Sequence, residues 1–156
     1  MNMGLDLGSP KGMTPFCIHT DIFGSGAVHP FYGGGRYLAD VVHDAGDVSI
    51  FPTDAWSYIA SNHSLEHMNV PGDEGTVDLL ERWVALLRQG GVLAMVIPDN
   101  DHFDVLASDR DHRHAWGAKD FRTRVLDRVL EKTGMQLVEY DTLDNHFSFN
   151  VILRKT

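Results

Sequence analysis

The sequence predicts an α/β fold in one domain: a mostly parallel sheet whose final strand runs antiparallel, flanked by a reduced number of helices. Three observations carry that prediction. Short apolar runs alternate with two stretches of helical periodicity. One run, Val92-Leu93-Ala94-Met95-Val96-Ile97, is apolar without a break, as in a strand covered on both faces. Only a short turn at Asp144-Asn145 precedes the last run, which permits a hairpin but not a parallel crossover. The 156 residues are enough for one compact domain with a real core, taken as residues 1–156.

The elements follow in order. Gly4-Leu5-Asp6-Leu7 alternates as a first strand and breaks at Gly8-Ser9-Pro10-Lys11-Gly12, a loop signal. After Thr14-Pro15 comes a second strand, Phe16 to Ile22, then a glycine-rich loop at residues 24–35. Leu38 to Val42 reads as the third strand and Tyr58-Ile59-Ala60 as the fourth. From Asp73 to Arg88 the apolar residues Val77, Leu80, Trp83, Val84 and Leu87 recur at helical spacing, with Asp73, Glu74 and Asp78 favouring the positive end of the helix dipole. Trp83 belongs to the core on that spacing. Gly90-Gly91 opens the strand Val92 to Ile97. A second helix carries Phe121, Val125, Leu126, Val129 and Leu130 and stops at Lys132 and Gly134. Met135 to Tyr140 and His146 to Arg154 supply the last two strands.

Composition narrows the partners. With 22 acidic against 13 basic residues the formal net charge is -9, which repels a phosphate backbone, so nucleic acid is excluded as a general partner. Arg110, Arg113, Arg122, Arg124 and Arg128 are interleaved with Asp109, Asp111, Asp120 and Asp127, the pattern of a mixed solvated helix face. Cys17 is the sole cysteine, so no intrachain disulfide forms; between Phe16 and Ile18 it reads as a small buried residue in a reducing compartment. Met1 to Ser9 holds no basic segment followed by an apolar core, and no run approaches the roughly 20 apolar residues of a membrane helix. A cytoplasmic protein without a membrane partner is expected.

Ser61-Asn62-His63-Ser64-Leu65-Glu66-His67 follows the fourth strand, placing a polar cluster where open α/β sheets bind ligands. Together with four other pieces it gives a family resemblance. Leu5-Asp6-Leu7-Gly8-Ser9-Pro10-Lys11-Gly12 is similar to the first-strand glycine motif of class I S-adenosylmethionine-dependent methyltransferases, especially the type 11 group. Asp21 ends the second strand, His43-Asp44-Ala45 resembles the adenine-side motif, Ser61 to Met68 matches the "LEH" element, and Arg88-Gln89-Gly90-Gly91-Val92-Leu93 is typical of the group. The resemblance covers nearly the whole chain. It implies a three-layer Rossmann-like methyltransferase sheet, with S-adenosylmethionine as cofactor and methyl transfer to a small-molecule or sugar-type acceptor.

The resemblance assigns cofactor contacts to Asp6, Gly8, Ser9, Asp21, Asp44, Ala45, Asn62 and His63. Asp21 would accept the ribose hydroxyls, as an acidic residue does in dinucleotide folds. Asp44 and the Ala45 amide would select adenine, and Gly8 would let the backbone approach the methionine part. Where the nucleophile is a hydroxyl, a base helps, and His63, His112 and His114 are the candidates. Three departures stand out. Pro10 occupies the second glycine position, Ser57 replaces a common acidic residue, and the stretch between Gly12 and Phe16 is too short for the usual helix. One side of the cofactor cleft is then open, covered by residues 24–35, or covered by a second subunit of a homo-oligomer.

Blander readings compete. Asp6 and Asp44 also suit strand ends and turn caps, and residues 109–116 suit either a pocket wall or a salt-bridged loop. A catalytically inactive binding or scaffold protein of the same fold is the main rival. His63 and His67 are four apart, a spacing that suits metal on a helix, but no third ligand is in reach by sequence, so no metal is expected and a metal-dependent hydrolase ranks last.

Overall fold

The structure is a computed structural model and describes residues 3–8, 16–21, 39–142 and 147–156. Its strands are β1 (Gly4–Leu7), β2 (Cys17–Asp21), β3 (Val41–Val42), β4 (Trp56–Asn62), β5 (Leu87–Pro98), β6 (Gln136–Thr142) and β7 (Ser148–Arg154). They form one sheet in the order β3-β2-β1-β4-β5-β7-β6. Neighbours from β3 to β5 pair parallel, and β7 runs antiparallel to both β5 and β6. The mostly parallel sheet with its antiparallel last strand is therefore as the sequence predicts.

Helix α1 (Gly72–Leu86) joins β4 to β5. After the short α2 (Val105–Ser108), α3 (Ala118–Phe121) runs through a π segment (Arg122–Leu126) into α4 (Asp127–Thr133) and on to β6. Helix α4 ends where periodicity places its stop: Gly134 takes φ 68°, a left-handed conformation that costs glycine little, and its N–H returns to the Leu130 carbonyl. Helix α1 ends earlier than expected. Leu87 is extended, with ψ 137°, and pairs with Trp56 of β4, so Leu87 and Arg88 belong to the strand and not to the helix.

Strand β4 is longer than the Tyr58–Ala60 reading, and β6 begins one residue later and runs on to Thr142. The short α2, capped by Asp104 Oδ1 accepting the Ala107 N–H at 3.0 Å, was not among the expected elements. Ser9, Pro10, Ile22, residues 24–35, Leu38 and the Asp144-Asn145 turn lie outside the described residues.

Alternation along the strands places Leu5, Leu7, Ile59, Leu93, Met95, Ile97, Phe149, Val151 and Leu153 in the buried core with α1 and the Phe121-to-Val129 helix. Trp83 and Phe121 are fully buried there. At roughly 1.5–3 kcal/mol for each large side chain, this layer dominates the stability. On the alternate positions Ala60, Asn62, Ala94, Val96, Asn150 and Ile152 line a shallow hollow of about 280 Å³. Cys17 is half-buried, not sealed in as expected, with Sγ 3.1 Å from the Tyr58 hydroxyl. No helix among the described residues is long and apolar enough to cross a membrane.

Candidate functional site

The chain reverses its direction of travel across the sheet between β1 and β4: β2 and β3 lie to one side of β1, and β4 and β5 to the other. In open α/β sheets the loops leaving such neighbours diverge at the strands' carboxyl ends, which makes the region beyond the β1 and β4 tips the candidate site before any side chain is considered. The strand tips there are tied in series. Gly8 N–H donates to the Thr20 carbonyl at 2.9 Å, and His43 N–H donates to the Asp21 carbonyl at 2.9 Å. This sets Gly8, Asp21 and Asp44 at the ends of three adjacent strands.

Gly8 has φ 78°, and a Cβ there would lie 2.7 Å from Ser64 Oγ. Both facts require glycine. Ser64 Oγ lies 3.1 Å from the carbonyls of Gly8 and Asn62, so the glycine turn after β1 and the polar loop after β4 form one rim. His63 is itself held at φ 50°, a conformation few side chains adopt without surrounding support. Its N–H donates to the Val96 carbonyl at 3.0 Å, and its Nε2 lies 2.9 Å from Ser148 Oγ on β7.

The predicted residues divide by environment. Asp21 is buried at its strand tip, Asp44 is exposed, and Asn62 and His63 reach the rim. One Asp44 oxygen caps its own turn by accepting the Gly46 N–H at 2.8 Å. Ala45 is buried, and its carbonyl accepts the Trp83 indole N–H at 3.0 Å. Asp6 is not at the rim: it has no exposed surface and lies 3.3 Å from Nδ1 of the buried His19, beneath the tips. His114 is placed apart from His63. Its Nε2 is 2.9 Å from the Met68 carbonyl and its ring stacks on Trp116, which pins residues 109–116 to the site's edge.

A group that sequence reasoning left without a role is Glu66. Its side chain is fully buried and neither oxygen has a hydrogen-bond partner. Around Oε1 stand His63 Nδ1 at 3.7 Å, His112 Nε2 at 3.8 Å and His67 Nε2 at 3.9 Å. Burial pushes the carboxyl up to about 8, opposed by its own main-chain N–H, which does not reach hydrogen-bond geometry, and reinforced by Asp109. Burial also lowers His63 and His67, helped in each case by the neighbouring His112. Meanwhile the Glu66 carbonyl accepts from the Arg113 and His114 N–H groups, at 2.8 and 3.1 Å, and so brings the 109–114 loop onto the LEH turn. The i to i+3 and i to i+4 spacings were visible in the sequence; His112, some 45 residues on, was not visible as their neighbour.

Neither a family model nor a curated protein sequence matches the chain. Solved structures do match its fold. A Mesorhizobium loti S-adenosylmethionine-dependent methyltransferase is similar at TM-score 0.67 and 11% identity, over 98% of this chain and 90% of the other. A chain of the Haloferax volcanii complex between the Trm112 activator and a methyltransferase gives 0.66 and 13%, over 98% and 82%. The fold is that of the S-adenosylmethionine-dependent methyltransferases. Burkholderia thailandensis 1,6-didemethyltoxoflavin-N1-methyltransferase, solved with its substrate and S-adenosylhomocysteine, has the same fold at TM-score 0.63 and 17% identity, over 99% and 71%.

Proposed function

We propose that the chain binds S-adenosylmethionine across the tips of β1 to β4 and transfers its methyl group to a small-molecule or sugar-type acceptor at the β4 loop. The observation that carries this reading is the serial bonding of the Gly8, Asp21 and Asp44 tips beside the crevice. The residues present fit the cofactor. Gly8, with its Cβ direction filled by Ser64, turns the backbone at the β1 tip, and Asp21 supplies a buried carboxylate matched to two ribose hydroxyls. Asp44 keeps one carboxylate oxygen outside its turn bond for the adenine amine, with the Ala45 amide beside it.

When bound, the cofactor supplies a methyl already electrophilic on a sulfonium, so the protein's task is alignment. Asn62 and His63 form the acceptor side of the rim. We assign His63, disfavoured as a cation by burial, to take the proton of a hydroxyl acceptor at Nε2, the acceptor hydroxyl replacing Ser148 Oγ as its partner there. Support for a small acceptor comes from the net charge of -9 and from the Burkholderia neighbour, which was solved with 1,6-didemethyltoxoflavin bound. A cytoplasmic location fits the same composition.

Thermal melting with and without S-adenosylhomocysteine tests the cofactor half. Ligand at about a hundred times Kd adds about 2.7 kcal/mol, a rise of roughly 5–10 °C for a domain of this size. An unchanged melting temperature at millimolar ligand favours the scaffold reading instead.

A further inference from the structure

We propose that Glu66, His67 and His112 form a binding site for a divalent first-row transition ion, of the zinc, cobalt or manganese kind, beside the β4 tip. The donor atoms of these three residues lie within 4.8 Å of one another. Two imidazoles and a carboxylate suit such ions better than magnesium or calcium, which favour oxygen donors. Bond lengths of 2.0–2.2 Å set donors roughly 3.3 Å apart in a tetrahedral site, so the observed 3.8 and 3.9 Å to Oε1 need only a small inward movement.

Two independent features point to an ion. Glu66 is fully buried, and the distances to its histidine neighbours are too long for hydrogen bonds, so its carboxylate is left without a partner among the described residues. A buried, unpaired carboxyl is costly, and a cation between it and the imidazoles removes that cost. Second, His112 is already set for coordination. Its Nδ1 lies 2.6 Å from the Val105 carbonyl, an oxygen that can only accept, so Nδ1 carries the proton and the lone pair is on Nε2, which faces Glu66. Support of a ligating imidazole through its other nitrogen is the usual arrangement in metal sites.

Three protein donors leave at least one coordination position for water or another ligand, as in sites that act on a bound molecule and not in closed structural ones. His63, whose Nδ1 faces the same Oε1 from the rim while Ser148 holds Nε2, joins this cluster to the acceptor side. The site does not depend on cofactor binding.

The test takes the full chain, stripped with chelator and then titrated with Co²⁺ by visible absorption and with Zn²⁺ by calorimetry. One equivalent of Co²⁺ giving d–d bands, displaced by Zn²⁺, is the expected result. Affinity should fall by a factor of about a hundred or more in His67→Ala and in His112→Ala, and hold in His43→Ala, on a distant strand end. Circular dichroism checks folding; should His112→Ala unfold, His67→Ala, whose ring is one-third exposed, carries the comparison. Absence of saturable binding overturns the proposal, as does equal affinity in the parent and the folded cluster variants, or a loss in His43→Ala as large as in His112→Ala. None of these readouts depends on the methyltransferase reading.

Discussion

At the scale of single residues, Gly8 closes the rim against Ser64, and Glu66 sits fully buried among three imidazoles. Gly8 was legible because a strand followed by glycine is a local pattern, and the structure adds the reason: a positive φ and a close approach to Ser64. Gly8→Ala should cost roughly 1–3 kcal/mol in urea unfolding, and in a Ser64→Gly background only the steric share should be recovered, since the backbone strain stays. Equal stability of Gly8→Ala and the parent would remove this account of the rim. Glu66 lay inside a recognised element, but its environment depends on His112, which only the fold brings near; no local pattern encodes that. The same holds for His114, a candidate base by chemistry that the fold places against Met68 and Trp116.

Burial of Glu66 also has a pH consequence in the metal-free protein. Its carboxyl is raised from the ordinary 4.5 to about 8. Below about pH 4.5 both the folded and unfolded chains hold the proton, and its contribution is fully present. Between there and about pH 8 the unfolded chain releases a proton that the folded one retains, so stability falls as pH rises, by up to about 1.4 kcal/mol per unit. Unfolding free energies of the parent and Glu66→Gln, measured in chelator from pH 5 to 8, should therefore diverge, with the variant's curve flatter. Parallel curves would show that the carboxyl is not buried unpaired.

Among the elements, the interface of α1 with the α3-to-α4 helix separates strong interactions from weak ones. Charged pairs join the exposed flank: Arg124 to Asp73, Arg128 to Glu74, and Lys132 to both Asp78 and Glu81. The interleaved charges predicted a solvated face, and that is where these pairs lie. Exposed pairs contribute about 0–1 kcal/mol each, whereas removing a buried aromatic ring such as Phe121 costs about 3–5 kcal/mol. Trp83 lies between these cases. Periodicity placed it in the core correctly but could not show that its indole N–H satisfies the buried Ala45 carbonyl, 38 residues away, and so couples α1 to the β3 turn. Trp83→Phe keeps most of the apolar contact but loses that bond, and a loss of about 1–3 kcal/mol in chemical denaturation is expected. A change below 0.5 kcal/mol would show that the turn is held by other contacts. Element ends were the least legible part: the helix pattern of α1 includes Leu87, yet strand pairing with Trp56 takes that residue, a tertiary effect that periodicity does not contain.

For the whole molecule, the direction of the last strand followed from the brevity of one turn, and the parallel order from alternating helices and strands; both describe the sheet now seen. Strand order itself is in no local pattern of the sequence and comes from the structure alone. The fold then places the tips of β1, β2, β3 and β4 along one edge and lays a shallow hollow against Asn62, so the binding we propose rests on a few carboxylates and backbone groups drawn from strands distant in sequence. The central claim is that these tips hold one adenosyl group, with Asp21 on its ribose. Calorimetric titration of S-adenosylhomocysteine into the parent and Asp21→Ala measures that directly. The account predicts one saturable site in the parent and an affinity roughly 10–100-fold weaker in the equally folded variant, the loss of charged hydrogen bonds worth about 1.5–3 kcal/mol. No binding by the folded parent, or binding that Asp21→Ala leaves unchanged, would contradict it.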